Sequence, residues 1–484
     1  MKASIFRPNF PFSPAKLPIF YGWVIVIASV LGVLTSIPGQ TIGVSVFTDH
    51  LIEATGLSRL QLANAYLVGT ITSGCLLPLG GKLLDRLGAR RIVVLAAVGL
   101  GLTLGYLSVC DRISFFLTDF LPFTTSTVAT IVLIAGFVSL RFCGQGMLTM
   151  TSRTTLGKWF DQRRGQVSGI EGVFIASGFS IAPYVFSQMI GELGWRGTWW
   201  TLSLVVGLGM SAIGWLLFRD TPEICGLRMD GKGTSVFTTM TPQNASDKTS
   251  DKTPNKTSDK TPNKTPDETP DKTLKDTSKS PEPEATIWGV TRKQAISTVA
   301  FWAFTLAFMS QALSITGITF NIVSIGAEMG IAEARMVQIF VPIAVVSTAV
   351  GYGVGVACDR VRIQSLFMFM MVFQAAGIAS LANLDIAWMR VPAIVGMGVS
   401  GGCFGTLSTV VLPKFFGRKH LGAIAGVQMM AIVIASALGP SLLANSKSVT
   451  GSYESGLYFC CLFAPVVIGL MLFVQAPATH SQKG

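Results

Sequence analysis

Runs of about 20 mostly apolar residues, the length a helix needs to cross the hydrocarbon of a bilayer, recur twelve times along this chain. Six lie in the first half, at 21–47, 60–79, 92–109, 127–156, 165–187 and 198–218, and six in the second, at 298–325, 337–358, 365–383, 391–413, 421–444 and 456–474. Hydrocarbon offers no partner to a backbone N–H or C=O, so a run of this length closes its own hydrogen bonds as a helix. Composition excludes one large soluble domain: over 484 residues half are apolar, 13% are charged and the mean hydropathy is +0.56. The reading is an all-α membrane protein of twelve transmembrane helices.

The chain also repeats itself. GKLLDRLGARR, from Gly81 to Arg91, is echoed by GVGVACDRVR, from Gly353 to Arg362, and KWFDQRRGQVSG from Lys158 returns in weaker form as KFFGRKHLGAIAG from Lys414. Two similar bundles about a site at the membrane midplane are the mark of a secondary transporter. The first of these stretches resembles the signature loop of the major facilitator superfamily, with Gly81, Asp85, Arg86, Gly88, Arg90 and Arg91 in its pattern and Ala89 in place of one cation. The second copy keeps Gly355, Asp359 and Arg360 and has Arg362 where a second glycine would fall. The resemblance implies two pseudo-symmetric six-helix bundles, 20–218 and 297–476. They lie between an N-terminal tail (1–19), a linker (219–296) and a C-terminal tail (477–484).

Cations set the orientation, because short cytoplasmic loops are rich in Lys and Arg. One set of alternate loops holds twelve, around 82–91, 158–164, 360–362 and 414–419, against six in the opposite set (Arg59, Arg112, Arg196, Arg335, Arg390, Lys447). Both termini and the linker are therefore expected in the cytoplasm, with the protein in the cell (inner or plasma) membrane. This asymmetry accounts for the net charge of +12 without nucleic acid as a partner. The first span is too long for a removable signal peptide and lacks its cleavage site. The eight cysteines show no metal-ligand spacing and read as packing residues. Within the linker, 246–273 repeats a four-residue unit (SDKT, PNKT and variants) with no apolar side chain and balanced charge, the composition of a solvated, disordered spacer.

Three ionisable residues remain inside the spans: Arg141, Arg153 and Glu171. Each costs roughly 2.5 to 3.5 kcal/mol to insert at a helix centre and so marks a function by default. Arg141 lies ~22 Å from the cytoplasmic end of its helix, too deep to reach water along its own stem. It is read either as the partner of an anionic substrate or as a donor to carbonyls freed where the first span breaks at Ile37, Pro38 and Gly39. Arg153 and Glu171 stand at similar depth on adjacent helices, as a proton-coupling group and its partner or as a gate pair. Gln40, Thr41, Gln145, Gln311, Thr316, Asn321, Thr406 and Ser408 are the uncharged polar candidates, for substrate or for helix-to-helix bonds. Asp85 and Asp359 are placed to accept hydrogen bonds from facing helix N-termini, and the resemblance implies that their loops, with Arg86, Arg90 and Arg360, latch the cytoplasmic side.

No nucleophile and base pairing, phosphate loop or metal cluster is present, so neither enzymatic catalysis nor a cofactor is expected. YGWVIVIASV from Tyr21, GVSVFTDHLIEATGLSR from Gly43, TGITFNIVSIGAEMGI from Thr316 and PKFFGRKHLGAIAG from Pro413 resemble the monocarboxylate and oxalate/formate branch. That resemblance implies a small carboxylate moved by proton symport or anion exchange. The eighth span lacks the branch's Asp-Arg or Arg, and the eleventh lacks the lysine of oxalate carriers. The function expected is secondary transport of a small organic solute, a monocarboxylate or related anion, by alternating access. Lipid, that solute and protons are its partners, and it works as a monomer. The alternatives are a proton-driven efflux antiporter, although GFSIAPYV in the fifth span lacks that group's glycine-proline pattern, and a non-transporting membrane receptor.

Overall fold

The computed structural model describes residues 7–120, 122–231 and 288–475. The tetrapeptide repeats, most of the predicted linker, the first six residues and the tail at 477–484 lie outside the described residues. The spans are α1 (Gly22–Ser45), α2 (Arg59–Leu87), α3 (Ala89–Ser108), α4 (Thr125–Trp159), α7 (Val299–Glu328), α8 (Phe340–Cys358), α9 (Ile363–Leu381), α10 (Ala387–Phe416), α11 (Leu421–Thr450) and α12 (Glu454–Leu472), together with one helical stretch, Arg164–Leu217. That stretch covers 54 residues, ~80 Å of helix against ~30 Å of hydrocarbon. It is broken at Gly194, whose backbone takes φ +70°, a region open to glycine. It therefore supplies two spans, α5 (164–193) and α6 (195–217), and the twelve helices are complete.

Local chemistry sets the ends. Ser58 and Gln61 form a reciprocal capping box at the start of α2, Thr124 caps α4 and Thr298 caps α7, each satisfying a backbone N–H that has no partner within the helix. The first span breaks at Ile37–Gly39, a 3-10 turn between Gly22–Leu34 and Thr41–Ser45. Inside α4, Phe142–Leu148 is wound as a π-helix directly after Arg141, a departure from α-geometry that the sequence did not announce. Sequence periodicity also missed a short helix, Cys110–Thr118, after α3.

That short helix is tied to the turn between α5 and α6 by a two-pronged pair, Arg196 Nη1 to Asp111 Oδ1 at 2.8 Å and Nη2 to Oδ2 at 2.7 Å. The hydrogen bonds from Arg196 hold the Asp111 carboxyl below its ordinary value of 3.8. A lowered value means that the pair stabilises the fold when ionised. Asp111→Asn is therefore expected to cost about 1 kcal/mol or less after solvent screening. Thermal unfolding in detergent should show that difference in full above about pH 4 and shrinking as the pH falls further. A difference that stays constant down to pH 2 would contradict it.

The two halves each have an apolar core, the N-terminal one around Leu100, Leu104, Leu133 and Phe137 and the C-terminal one around Phe304, Phe308, Phe367 and Leu407. Between them run two matched seams, α2 against α11 and α5 against α8. Bilayer helices gain little from apolar burial against one another, so close backbone approach through small residues does the joining. In the first seam a Cβ on Gly81 would fall on the carbonyl of Gly422; in the second, one on Gly355 would meet the Gly165 carbonyl at 2.5 Å. Gly81 and Gly355 occupy equivalent places in the duplicated loops.

Both ends of the predicted linker are packed against the bundles. Asp230 accepts backbone N–H groups of Asp161, Gln162 and Arg163 at 2.8 to 3.3 Å. Gly289 pairs with Gly417 in an isolated bridge. Arg418 joins the halves, donating to the Lys158 carbonyl at 2.8 Å and to Glu223 at 2.9 Å.

Candidate functional site

The cation-rich end of the molecule is closed by paired carboxylates. Asp85 accepts the N–H groups of Gly422 (2.9 Å) and Ala423 (2.7 Å) at the start of α11, with the Lys158 ammonium 3.8 Å away. Asp359 accepts the N–H of Gly165 at 3.2 Å at the start of α5. Both contacts place an anion where exposed N–H groups and the helix dipole favour one. The basic members of the motif are placed differently. Arg86 and Arg360 are exposed and form no ion pair among the described residues. Arg90 is buried and donates to the carbonyls of Trp215, Arg7 (2.9 Å) and Phe10 (2.8 Å), which binds the N-terminal tail to its own half. Gly88 is kept small by its φ of +83° and by the Asp220 carboxylate beside it.

Farther along the interface lie three cavities, each lined by both halves. The first, of ≈ 280 Å³, holds Arg141 together with Thr41, Tyr66, Thr316, Phe320 and Ser436. Arg141 is 2% exposed. Its Nη1 donates to the Gly39 carbonyl and to Thr41 Oγ1, both at 3.3 Å, and its guanidinium stands 5.3 Å from the Tyr66 ring centroid, within cation–π range. Both readings of Arg141 thus have their geometry: it serves the broken first span and also faces a cavity. Among the described residues no carboxylate lines that cavity.

The second, of ≈ 210 Å³, is lined by Gln40, Gln145, Thr149, Arg153, Ser408 and Gln428 among apolar neighbours. The third, of ≈ 220 Å³, has Arg153 and Glu171 with Ser347, Thr348 and Thr406. Arg153 and Glu171 meet at this cavity without forming an ion pair within 4.0 Å. Arg153 Nη1 instead donates across the halves to Ser408 Oγ at 2.7 Å. The pairing inferred from depth alone overlooked α10, which comes from the other half and competes for the same guanidinium. Glu171 is 2% exposed and its Oε1 has no hydrogen-bond partner among the described residues. Such an atom costs of order 1 to 3 kcal/mol to leave unpaired.

Of the remaining polar candidates, Asn321 donates to the carbonyls of Gly317 (2.9 Å) and Pro440 (3.3 Å) and so joins α7 to α11. Gln311 is buried and lines none of the three cavities. Gln40 donates to Ser36 and Thr149 while lining the second cavity. Tyr66, Thr149, Thr409, Gln428 and Ser436 were missed; the trace they leave in the sequence is a lone polar residue in an apolar run, which helix-to-helix bonding produces as readily.

No curated protein matches the chain. Solved structures share its fold at low identity. The human organic anion transporter MFSD10 (TETRAN) is 10% identical with a TM-score of 0.58, over 94% of this chain and 100% of that one. A bacterial homologue of the iron transporter ferroportin, in an outward-facing state, is 13% identical with a TM-score of 0.61, over 93% of this chain and 98% of that one. The proton:xylose symporter XylE is 13% identical with a TM-score of 0.58, over 94% and 95%. The family model for the Major Facilitator Superfamily matches residues 28–440, a stretch that takes in both seams and Arg141, Arg153 and Glu171. Carrying that family's sequence pattern across both halves and its twelve-helix fold, this chain belongs to the major facilitator superfamily and is a membrane transporter, not an enzyme.

Proposed function

We propose that this transporter carries a small organic anion, of the monocarboxylate kind, by alternating access across the cell membrane, working as a monomer with both termini cytoplasmic. One observation carries the reading: the cavity at Arg141 contains a guanidinium and, among the described residues, no carboxylate. In a medium of low dielectric an uncompensated cation attracts an anion strongly. The solved structures of like fold include transporters of organic anions, iron and a sugar, so the choice among substrates rests on this chemistry.

Arg141 is assigned as the anion's partner. Glu171, the carboxylate of the third cavity, is assigned to the proton. Asp85, Asp359 and the glycine seams form the cytoplasmic latch, and with that end closed the conformation corresponds to the outward-facing side of the cycle. The test is reconstitution in liposomes loaded with a pH-sensitive dye, with carboxylates added one at a time. Inward proton movement driven by one of them, and lost in Glu171→Gln while isotope exchange of that acid persists, is the expected result. Neither proton entry nor isotope exchange for any small carboxylate would end the anion reading.

A further inference from the structure

We propose that Arg153 forms a second anion site, separate from that at Arg141 and joined to it by one polar face of α4. The inference rests on the anion-carrier reading and adds to it a place where the anion pauses on the cytoplasmic side.

Arg141, Gln145, Thr149 and Arg153 follow one another at intervals of four residues. In an α-helix each such step oversteps a full turn by ~40°, so three of them would turn Arg153 ~120° away from Arg141. The π-helix Phe142–Leu148 intervenes. Its wider turn, ~4.4 residues, makes a four-residue step fall short by about 30°. Seven residues at the π pitch and five at the α pitch bring the two arginines to within about 10° of the same face. The result is visible in what each side chain lines: Arg141 one cavity between the halves, and Gln145, Thr149 and Arg153 the next.

The second cavity has the chemistry of a site for a small organic anion. Among the described residues Arg153 is the one charged residue in its lining, and Glu171 borders the same guanidinium only from the neighbouring cavity, without an ion pair within 4.0 Å. Among the described residues the Nε of Arg153 has no hydrogen-bond partner, nor has Thr409 Oγ1 in the facing wall. Met150, Leu412, Met429 and Ile432 supply an apolar side, suited to the hydrocarbon part of a carboxylate. The guanidinium's bond to the uncharged Ser408 hydroxyl at 2.7 Å is the one an arriving anion would displace, since in a medium of low dielectric a cation attracts an opposite full charge more strongly than a dipole. Ser408 belongs to the opposite half, so binding at Arg153 loosens a link across the closed end. An anion leaving Arg141 therefore has a destination about three turns along α4 whose occupation favours opening.

Bromide serves as the probe. Anomalous diffraction from crystals of the full chain soaked in bromide is expected to show one peak beside Arg141 and another beside Arg153, with the latter absent in Arg153→Gln and retained in Arg153→Lys. In liposomes, Arg153→Gln should lower carboxylate uptake by about tenfold or more while leaving binding measured from the outer side within about twofold of wild type. A peak beside Arg141 alone overturns the second site and leaves the anion reading standing. Peaks at neither overturn both. A peak beside Arg153 with uptake by Arg153→Gln equal to wild type identifies an adventitious ion only and also overturns it.

Discussion

Arg141→Gln is expected to abolish carboxylate uptake, by about a hundredfold or more, in a protein that still inserts and unfolds at nearly the wild-type temperature. The glutamine amide retains a donor for the Gly39 carbonyl and Thr41 Oγ1, which Arg141 reaches at 3.3 Å, so the break in the first span keeps a partner. What disappears is the charge in a cavity that contains no other. Removing one partner of a buried charge pair costs about 3 kcal/mol or more, roughly a hundredfold in affinity. Arg141→Lys restores the charge without the planar fork and should recover only part of the activity. Uptake by Arg141→Gln equal to wild type would show that Arg141 serves the broken span and nothing else.

Gly81→Val should stop the cycle by a different route. A Cβ there falls on the Gly422 carbonyl and lies 3.2 Å from Gly426 Cα, backbone atoms that have no rotamer to yield with. The α2–α11 seam cannot then close, and a penalty above about 3 kcal/mol leaves fewer than one molecule in about a hundred in the closed form. Spin labels at 82 and 419 should report a separation longer than in wild type, alongside lost transport. Gly353→Val is the control: it opens the duplicated stretch in the second half, where an added Cβ meets nothing within 4 Å, and it should transport normally. Normal transport by Gly81→Val would refute the seam as a moving part.

The twelve spans and the duplication were legible because hydrocarbon imposes its length and polarity on every helix that crosses it. The places of Asp85 and Asp359 at helix ends followed from the same rule. Arg141, Arg153 and Glu171 were legible as exceptions, being charges where charge is costly. Their partners were not. Whether Arg153 faces Glu171 on the next helix or Ser408 in the other half depends on how two bundles dock, which no local pattern encodes. Nor does residue spacing reveal the π turn after Arg141, within which Gly144 and Gly146 let Gly39 and Leu77 approach closely. Arg90 was grouped with the latch because it stands in the motif, but its side chain donates to the carbonyls of Arg7 and Phe10 in the N-terminal tail.

The two seams are alike in plan and unequal in strength. Asp85, with a side chain 11% exposed, holds its two N–H groups at 2.9 and 2.7 Å and has an ammonium nearby. Asp359 also faces two N–H groups, of Gly165 at 3.2 Å and of Gln166, and has Lys414 and Arg164 near it, but it is exposed to solvent. A door with one tight and one slack hinge line does not lift away squarely. In the proposed cycle the α5–α8 side, next to the cavity that contains Glu171, is then the one to part first, which would bring that carboxylate to water before the α2–α11 side has opened.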